Sequence, residues 1–410
     1  MAKTDSAGAL LSYQDALERM IAAAPAATGV ERVGLRAAFG RVLAEPVTSP
    51  IDVPGWDYSA MDGYALRAAD CPAPGTSLPV SQRVPAGSAP SPLAAGTAAR
   101  IFTGAPIPAG ADTVVIQEVC SALEGAVRID AEVRPDANIR RRGEDIRAGG
   151  EVIAPGTRLQ PQHVGLAASV GAAELAVRPR LRVALFASGD ELVMPGQPLG
   201  PGQIYNSNLF TATALLQALG CEVVELGIVE DSLEATREAL ARGAAEADLV
   251  LASGGVSVGE EDHVKPAVES LGRLDLWKVA IRPGKPLAFG EVAGTPFIGS
   301  PGNPVSLFVT FLLFVRPFIL RMQGRDDWRP AALSVPAAFD WPRPDRRREF
   351  HRARLERDAS GDARLLVHPS RSSGVLSSVT WANGLAVIAE NQVIRVGDPV
   401  EFIPFQELLA

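Results

Sequence analysis

The 410-residue sequence has few cysteines and no long apolar run, and these scarcities exclude several classes of protein. It contains three cysteines, Cys71, Cys120 and Cys221, and their wide spacing predicts neither a disulfide framework nor a zinc cluster. The longest apolar run, from Val305 to Val315, is shorter than the about 20 residues that a membrane span needs. The opening residues lack the apolar segment of a secretory signal, so we expect a cytoplasmic protein.

Positive charge is also scarce. Lysine and arginine together number 39 against 47 aspartates and glutamates, which gives a formal net charge of −8. No basic surplus is therefore available for general nucleic-acid binding. The hydrophobic fraction of 47% is sufficient for a packed core, and the length predicts roughly two to three domains.

Lysine is rarer still, because 4 of the basic residues are lysines, namely Lys3, Lys265, Lys278 and Lys285. Three of them fall within residues 265–285. A compact ammonium group can act as a point charge on an anion, in a chain that elsewhere uses arginine. The cluster indicates an anion site, and chance clustering on a solvated face is the alternative.

The pattern of apolar residues changes along the chain. Ser12 and the apolar residues after it predict a first helix, and residues 49–149 read as a β-rich module cut by proline and glycine. From Leu181 strands alternate with helices, which predicts a doubly wound parallel sheet with helices on both faces. Beyond Gln323 short strands return and indicate a small all-β domain. The predicted strands of the α/β region are Leu181–Phe186, Glu222–Val229, Leu249–Ala252, Lys278–Ile281 and Thr295–Ile298.

Four loops follow the strands of this α/β region. In open α/β sheets ligands bind beyond the carboxyl ends of the strands, so these loops are the expected binding edge. Each is rich in glycine or acidic residues, and each by itself is typical of an ordinary βα turn. The Gly254-Gly255 loop has neither the Walker A nor the dinucleotide pattern. The loops are Ala187–Glu191, Gly227–Asp231, Ser253–Asp262 and Gly299–Pro304.

Three acidic residues, Glu191, Asp231 and Asp262, are expected to converge at this edge. Carboxylates beside a phosphate cradle suit Mg²⁺, which bridges protein carboxylate to substrate phosphate. Helix capping is the alternative for Asp231 and Asp262, because carboxylates are favoured at helix N-termini in any case.

The basic element of the same region is the turn Arg282-Pro-Gly-Lys285. Proline and glycine fix a turn that can present both cations on one side, although a hairpin with exposed charges is the alternative. Asn303-Pro304 opens a helix whose free N–H groups can bind phosphate.

Two further segments lie outside the α/β region. Residues 51–64 mix aromatic and acidic side chains, which indicates either a recognition loop or a linker held by Trp56 and Tyr58. The run Arg140–Arg142 stands beside Glu144 and Asp145. Such a run is usually a solvated face, and contact with a ligand across a subunit boundary is the alternative.

Taken together, these segments resemble the MoeA family, the molybdopterin molybdenumtransferases of molybdenum cofactor biosynthesis, also found as the E domain of gephyrin. No single motif is specific, but the ordered set spans nearly the whole chain. The matching motifs are Ser59–Ala65, Ile101–Ala105, Arg142–Ile146, Ser188–Leu192, Ser253–Gly259, Pro283–Pro286 and Pro301–Ser306.

The resemblance implies a homodimer with four domains in each chain. They are a small connecting domain of residues 30–48 with 150–179, a β-rich module of residues 49–149, a MogA-like α/β molybdopterin-binding domain of residues 10–29 with 180–330, and a C-terminal β-barrel of residues 331–410. The implied reaction is the Mg²⁺-dependent insertion of molybdate into adenylylated molybdopterin, which yields molybdenum cofactor and AMP. Implied protein partners are the molybdopterin adenylyltransferase and molybdoenzyme chaperones.

The resemblance also assigns roles to individual residues. Asp62, Thr103 and Asp145 are implied catalytic residues supplied across the dimer, and Glu191, Asp231 and Asp262 complete that set, with Asp231 and Asp262 as metal ligands. Implied substrate-binding residues are Ser188, Gly254, Gly255, Lys278, Arg282, Lys285, Pro301, Pro304, Ser306, Arg352 and Ser373. Two departures from the family pattern are Arg282, where many members have lysine, and Ser300, where leucine is common.

Two other functions remain open at this point. The adenylyltransferase of the preceding step shares the α/β domain and its Gly-Gly loop, but not the additional domains or the Pro283–Pro286 motif. A cofactor carrier or scaffold is the second alternative, and the absence of a long linker here favours the enzyme.

Overall fold

The computed structural model of the chain describes residues 10–255 and 263–409. The described chain folds into two compact units. The larger unit contains the chain up to Glu31, the segment Gly40–Ala44 and everything from Val177 onward, and the smaller unit contains Arg32–Phe39 and Glu45–Ala176. The finer division into four domains stays a prediction.

Ten helices can be followed in the described residues. The helix predicted after Ser12 is present, and the Ser12 hydroxyl caps it by accepting the Asp15 N–H at 3.1 Å. The helices are α1 Tyr13–Ala23, α2 Leu35–Ala38, α3 Pro161–Ser169, α4 Asn208–Ala218, α5 Leu233–Glu246, α6 Val264–Leu271, α7 Pro304–Thr310, α8 Arg316–Met322, α9 Ser377–Trp381 and α10 Phe405–Leu409, with a π-helical segment Phe311–Val315 between α7 and α8 and 3₁₀ turns at Ala68–Asp70 and Gln117–Val119.

The strands are short in the smaller unit and longer in the larger one. In the smaller unit they are β1 Glu31–Gly34, β2 Val47–Thr48, β3 Tyr58–Ser59, β4 Gly63–Leu66, β5 Thr76–Val84, β6 Ala98–Ile101, β7 Thr113–Ile116, β8 Cys120–Leu123, β9 Ala126–Ile129, β10 Ile139–Arg140, β11 Glu151–Ile153 and β12 Glu174–Val177, the first and last of which reach the larger unit. In the larger unit they are β13 Arg182–Ser188, β14 Leu192–Val193, β15 Ile204–Tyr205, β16 Glu222–Val229, β17 Leu249–Ser253, β18 Gly272–Lys278, β19 Ile281–Arg282, β20 Pro286–Val292, β21 Thr295–Ser300, β22 Leu333–Pro336, β23 Arg348–Arg357, β24 Ala363–Val367, β25 Gly384–Ile388 and β26 Pro399–Pro404.

The central sheet of the larger unit has the order β16-β13-β17-β21-β20-β18. Strands β16, β13, β17 and β21 are parallel, as predicted, whereas β20 and β18 are antiparallel to their neighbours. The expectation of a wholly parallel sheet is therefore wrong. The cause is the two-residue connection Ala293-Gly294, which has positive φ at both residues and can join only antiparallel strands.

The predicted strand Lys278–Ile281 is also wrong. Lys278 ends β18, and the chain turns before β19 begins at Ile281. Strand β20 was not predicted, because its apolar pattern starts at Pro286 and is interrupted by Gly290, two residue types that are rare inside strands. The strand Glu222–Val229 was predicted with the bounds that the structure has.

Helices cover both faces of the central sheet, as predicted. In β13, Val183, Leu185 and Ala187 pack into a core with α1, α4, α7 and α8. The alternate residues Ala184 and Phe186 pack on the opposite face with α5 and α6. Alternation in one strand thus places apolar side chains in two separate cores, which is the arrangement of a doubly wound sheet.

The segment Pro304–Met322 is a long apolar helix in the larger unit. Its mean hydropathy of 1.8 and its 19 residues satisfy the length and composition of a membrane span. However, 94% of its apolar stretch is buried inside the protein. Phe311, Phe314 and Phe318 are each no more than 1% exposed. The segment is therefore a core helix of the larger unit.

A second sheet occupies the C-terminal part of the larger unit, in the order β19-β23-β25-β26-β22, with β24 beside β23. A bridge between Ala337 and Leu365 links the end of β22 to β24. Strand β19, which precedes the core helix, pairs in parallel with β23, so that Arg282 lies opposite Glu349. The basic turn is thereby attached to the C-terminal sheet.

The smaller unit is rich in β-structure, as expected for residues 49–149. Its main sheet has the order β7-β4-β6-β5-β9-β8. Strand β4 lies between β7 and β6 and carries Gly63, which is opposite Ile116 of β7 and Ile101 of β6. A Cβ atom built on Gly63 would overlap the carbonyl oxygen of Val115, so only glycine fits.

We expect Gly63→Ala to weaken the smaller unit by about 1–3 kcal/mol, because the added methyl group must displace strand backbone. Hydrogen–deuterium exchange of β4 and β7 in the full chain measures this as lost protection. The control is Gly165→Ala in the exposed part of α3, where nothing lies within 4 Å of the new Cβ and alanine is the better helix former. Unchanged protection of β4 would contradict the expected overlap.

Candidate active site

The carboxyl ends of the four parallel strands meet at one edge of the central sheet. Ser188, which ends β13, is in register with Val229, which ends β16. Ser253 pairs with Ala187 of β13 and with Ser300, which ends β21. The prediction that these loops share one edge is therefore confirmed.

Backbone atoms of three loops come into direct contact there. A Cβ atom on Gly254 would lie 2.6 Å from the Ser188 carbonyl oxygen, and φ at Gly254 is +90°. Its N–H donates to the Ser300 carbonyl oxygen at 3.0 Å, and a Cβ atom on Gly302 would lie 3.7 Å from the Gly254 Cα. Glycine is required at 254 because both the conformation and the space exclude a side chain. Gly255 also has positive φ.

Asn208 connects the same loops and was not predicted from the sequence. Its side-chain amide donates to the Ser253 hydroxyl at 3.0 Å and to the Gly302 carbonyl oxygen at 2.7 Å. A signal was present in the segment Asn206-Ser-Asn208. Asn206 caps α4 by accepting the Leu209 N–H at 3.1 Å, so the second asparagine is not needed as a cap.

Of the three predicted acidic residues, two belong to the described chain, and Asp262 lies outside it. Asp231 accepts a hydrogen bond from the Ser188 hydroxyl at 3.4 Å. A Cβ atom on Gly189 would lie 2.6 Å from a carboxylate oxygen of Glu191. Both carboxylates therefore adjoin the end of β13. No group of three or more His, Cys, Asp or Glu side chains with metal-ligand geometry occurs in residues 10–255 and 263–409.

The basic turn lies against the first turns of α7. A Cβ atom on Gly284 would lie 2.6 Å from the Thr310 methyl group and 3.7 Å from the Ser306 Cβ, and φ at Gly284 is +91°. The turn is closed by the Val279 N–H, which donates to the Lys285 carbonyl oxygen at 3.0 Å. Lys278 lies opposite Pro286 in the sheet, so the two lysines flank the same turn. Both lysine side chains are exposed.

A loop of the C-terminal sheet reaches the same helix end. The Val305 N–H donates to the Ser373 carbonyl oxygen at 3.0 Å. Buried Arg352 holds this loop, because its Nη2 donates to the carbonyl oxygens of Ser370 at 2.6 Å and Ser372 at 3.2 Å, and its Nε donates to the Ser378 hydroxyl at 3.0 Å. Burial lowers the pKa of the Arg352 guanidinium from its usual value.

Several predicted site residues are thus neighbours in the larger unit. Pro304 is the first residue of α7, and Pro301 is buried in the loop before it. The start of α7 touches the basic turn through Ser306 and the C-terminal loop through Val305. What the arrangement offers chemically is a set of cations beside the start of α7 that can bind an anion. The first two helix residues offer no free N–H group there, because Pro304 has none and the Val305 N–H donates to the Ser373 carbonyl oxygen.

The smaller unit contains a separate pair of predicted residues. The Asp62 carboxylate accepts both the backbone N–H and the hydroxyl of Thr103, each at 2.8 Å. These two bonds, the backbone one first, hold the pKa of Asp62 below its usual value. Asp145 is exposed, and its backbone N–H donates to the Val53 carbonyl oxygen at 3.0 Å.

The arginine run and the 51–64 segment form one ion-paired cluster in the smaller unit. Arg141 pairs with Asp57 and Asp136, and Arg142 pairs with Asp52 at 2.6 Å. Trp56 is 58% exposed, so it does not hold the segment by packing. Ion pairs, rather than the aromatic ring, give this segment its shape.

Three family models match the chain in order. They describe the MoeA N-terminal region (domains I and II) over residues 11–171, a probable molybdopterin binding domain over residues 184–321, and the MoeA C-terminal region (domain IV) over residues 334–405. The matched ranges contain the predicted site residues of both units.

Curated proteins and solved structures agree with these matches. The chain is 37% identical over 404 residues to the molybdopterin molybdenumtransferase of Haemophilus influenzae, which covers 98% of this chain and 100% of that protein. It is 39% identical over 373 residues to molybdopterin molybdenumtransferase 2 of Mycobacterium tuberculosis, with 88% and 91% covered. A MoeA protein structure from Pyrococcus horikoshii superposes with a TM-score of 0.83 at 29% identity, covering 97% of this chain and 100% of that one.

The fold, the glycine loops at the sheet edge and these matches define a protein of molybdenum cofactor biosynthesis that contains a molybdopterin-binding domain. Within that class, the chain belongs to the MoeA family. The family resemblance expected from the sequence motifs is confirmed.

We expect Thr103→Val to raise the pKa of Asp62 part of the way to its ordinary value, because the hydroxyl donor is lost and the backbone donor remains. A carbon-13 NMR titration of the aspartate carboxyl groups measures the shift. Asp70 serves as the internal control, since its low pKa comes from Arg67 and the Gly96 N–H. An unchanged Asp62 pKa would assign the whole effect to the backbone bond.

Proposed function

We propose that this chain inserts molybdate into adenylylated molybdopterin, with cleavage of the pyrophosphate link and release of AMP. The observation that carries the proposal is the meeting of the basic turn and the Ser373 loop at the start of α7. Relatives at 37% and 39% identity that are named molybdopterin molybdenumtransferases support it.

In this proposal the loops at the sheet edge and the cations beside α7 bind different anions. The loops of Ser188, Gly254 and Gly302 receive the nucleotide and its phosphates, because they meet at the carboxyl edge of the sheet, where open α/β sheets bind ligands. Lys278, Arg282 and Lys285 receive molybdate beside the start of α7, where Pro304 has no N–H and the Val305 N–H is already bonded to the Ser373 carbonyl oxygen. Arg352 acts indirectly, since its Nε and Nη2 hydrogen bonds shape the Ser373 loop.

We also propose a Mg²⁺ site at the sheet edge. Asp231, which accepts from the Ser188 hydroxyl, provides hard oxygen donors, and Mg²⁺ needs only one or two carboxylates when phosphates and waters supply the rest. Asp262 is the second proposed ligand. When bound, the ion would neutralise charge on the phosphates.

The test is mass spectrometry of the pterin after the protein has been mixed with adenylylated molybdopterin, molybdate and Mg²⁺. We expect molybdenum cofactor and AMP in equal amounts. ATP-dependent adenylylation of molybdopterin without molybdate would instead identify an adenylyltransferase. A tight complex with finished cofactor and no turnover would identify a carrier or scaffold.

Lys285→Ala should weaken binding of one anionic substrate by about ten- to a hundredfold, the usual effect of losing a charge-assisted hydrogen bond. Titration calorimetry with molybdate and adenylylated molybdopterin separately shows which anion the lysine holds. The matched control is Lys265→Ala, which removes an exposed lysine whose ammonium is 4.0 Å from Glu269 on α6. If Lys285→Ala and Lys265→Ala bind both anions with equal affinity, Lys285 is an exposed charge on a turn and does not bind the substrate.

We propose further that the chain is a homodimer in which Asp62, Thr103 and Asp145 complete the site of the partner subunit. Mixing inactive Asp62→Ala protein with inactive Asp231→Asn protein should then restore part of the activity, because one intact site forms in each heterodimer. Subunit exchange is verified by native mass spectrometry. Exchange without any recovery of activity would mean that each site is built from one chain.

A further inference from the structure

Among Lys278 and the two cations of the basic turn, Arg282 has an ion-pair partner. Its Nη2 lies 3.3 Å from Oδ2 of Asp345, and the two side chains are 36% and 22% exposed. Within the described residues, neither Lys278 nor Lys285 forms an ion pair. The guanidinium is therefore held from one side while the two ammonium groups are not.

Asp345 is itself fixed by its surroundings, in the loop between β22 and β23. Its Oδ1 accepts the Arg347 backbone N–H at 3.0 Å, and Arg347 Nη2 donates to Oδ2 at 3.3 Å. Its carbonyl oxygen accepts the Asn391 N–H at 2.7 Å. A carboxylate held at these points can act as a fixed support for a neighbouring cation.

The other carboxylate close to Arg282 is already engaged. Glu349 lies opposite Arg282 in the β19–β23 ladder, but its oxygens accept from Arg371 Nε at 3.1 Å and Nη2 at 2.5 Å. Glu349 is 2% exposed, and the Nδ1 atom of His351 lies 3.4 Å from its Oε1. Asp345 is thus the carboxylate with which Arg282 forms its ion pair.

We propose that Asp345 is a positioning residue that orients the Arg282 guanidinium toward the bound oxyanion. A guanidinium carries five N–H donors in one plane, so fixing one terminal nitrogen fixes the direction of the others. The carboxylate also offsets part of the positive charge. Asp345 therefore improves the orientation of the Arg282 guanidinium and at the same time lowers its affinity for the oxyanion. The inference rests on the proposed function for the identity of the oxyanion.

The test is Asp345→Asn in the full-length protein, with three measurements. The rate of cofactor formation at saturating substrate should fall about ten- to a hundredfold, the effect of a misplaced group. The Kd for molybdate, measured by calorimetry, should stay equal or tighten by about two- to fivefold, the range of a partly exposed ion pair. NMR relaxation of the Arg282 Nε–H should report a more mobile guanidinium.

The matched control is Glu390→Gln. It removes the Arg348–Glu390 pair, which spans 3.2 Å between side chains 31% and 32% exposed and does not include Arg282. All three measurements should match the wild-type protein. If Asp345→Asn does not fold, Asp345→Ser, which can still accept the Arg347 N–H, takes its place.

A double-mutant cycle with Arg282→Ala identifies the route of the effect. In that background Asp345→Asn should change the rate no further. An equal loss of rate in both backgrounds, a weaker Kd at unchanged rate, or an unchanged Arg282 Nε–H signal would each overturn the proposal. A wild-type protein that forms no cofactor would overturn the proposed function, while the NMR result would still decide whether Asp345 orients Arg282.

Discussion

Burial of the segment Pro304–Met322 is the constraint on which the rest of the larger unit depends. Its aromatic residues pack in the core under the central sheet, and 94% of its apolar stretch is buried inside the protein. The first two turns of the same segment touch Gly284 through Ser306 and Thr310, and the Ser373 loop through Val305. A helix that cannot move without opening the core therefore positions both basic and loop elements of the site.

Close backbone contacts play the same part at the sheet edge. Gly254 sits against the Ser188 carbonyl oxygen at a distance that excludes a Cβ atom, and Gly302 adjoins it. Asn208 then joins Ser253 to Gly302 with a single amide group. Hydrogen bonds and contacts between loops, rather than any one loop, give this edge a defined shape, which is what a preorganised anion site requires.

Much of this could be predicted from the sequence where local pattern decides structure. Strand β16 and helix α1 follow from their apolar periodicity, and the common edge of Ser188, Ser253 and Ser300 follows from the topology of parallel strands. The antiparallel direction of β20 could not be predicted from the sequence. It depends on the turn Ala293-Gly294, which resembles no common hairpin sequence. Asn208 was missed because its partners are 45 and 94 residues away in the chain.

The scarcity of lysine becomes physically meaningful once the ion pairs are known. Arg141 and Arg142 are paired with aspartates in the smaller unit, and Arg371 is paired with buried Glu349 in the larger one. Their planar forks match carboxylates and stabilise the fold. Lys278 and Lys285 carry compact charges on exposed side chains beside a turn that Gly284 holds against α7. At these three positions arginine thus joins parts of the protein, whereas Lys278 and Lys285 form no ion pair within the described residues.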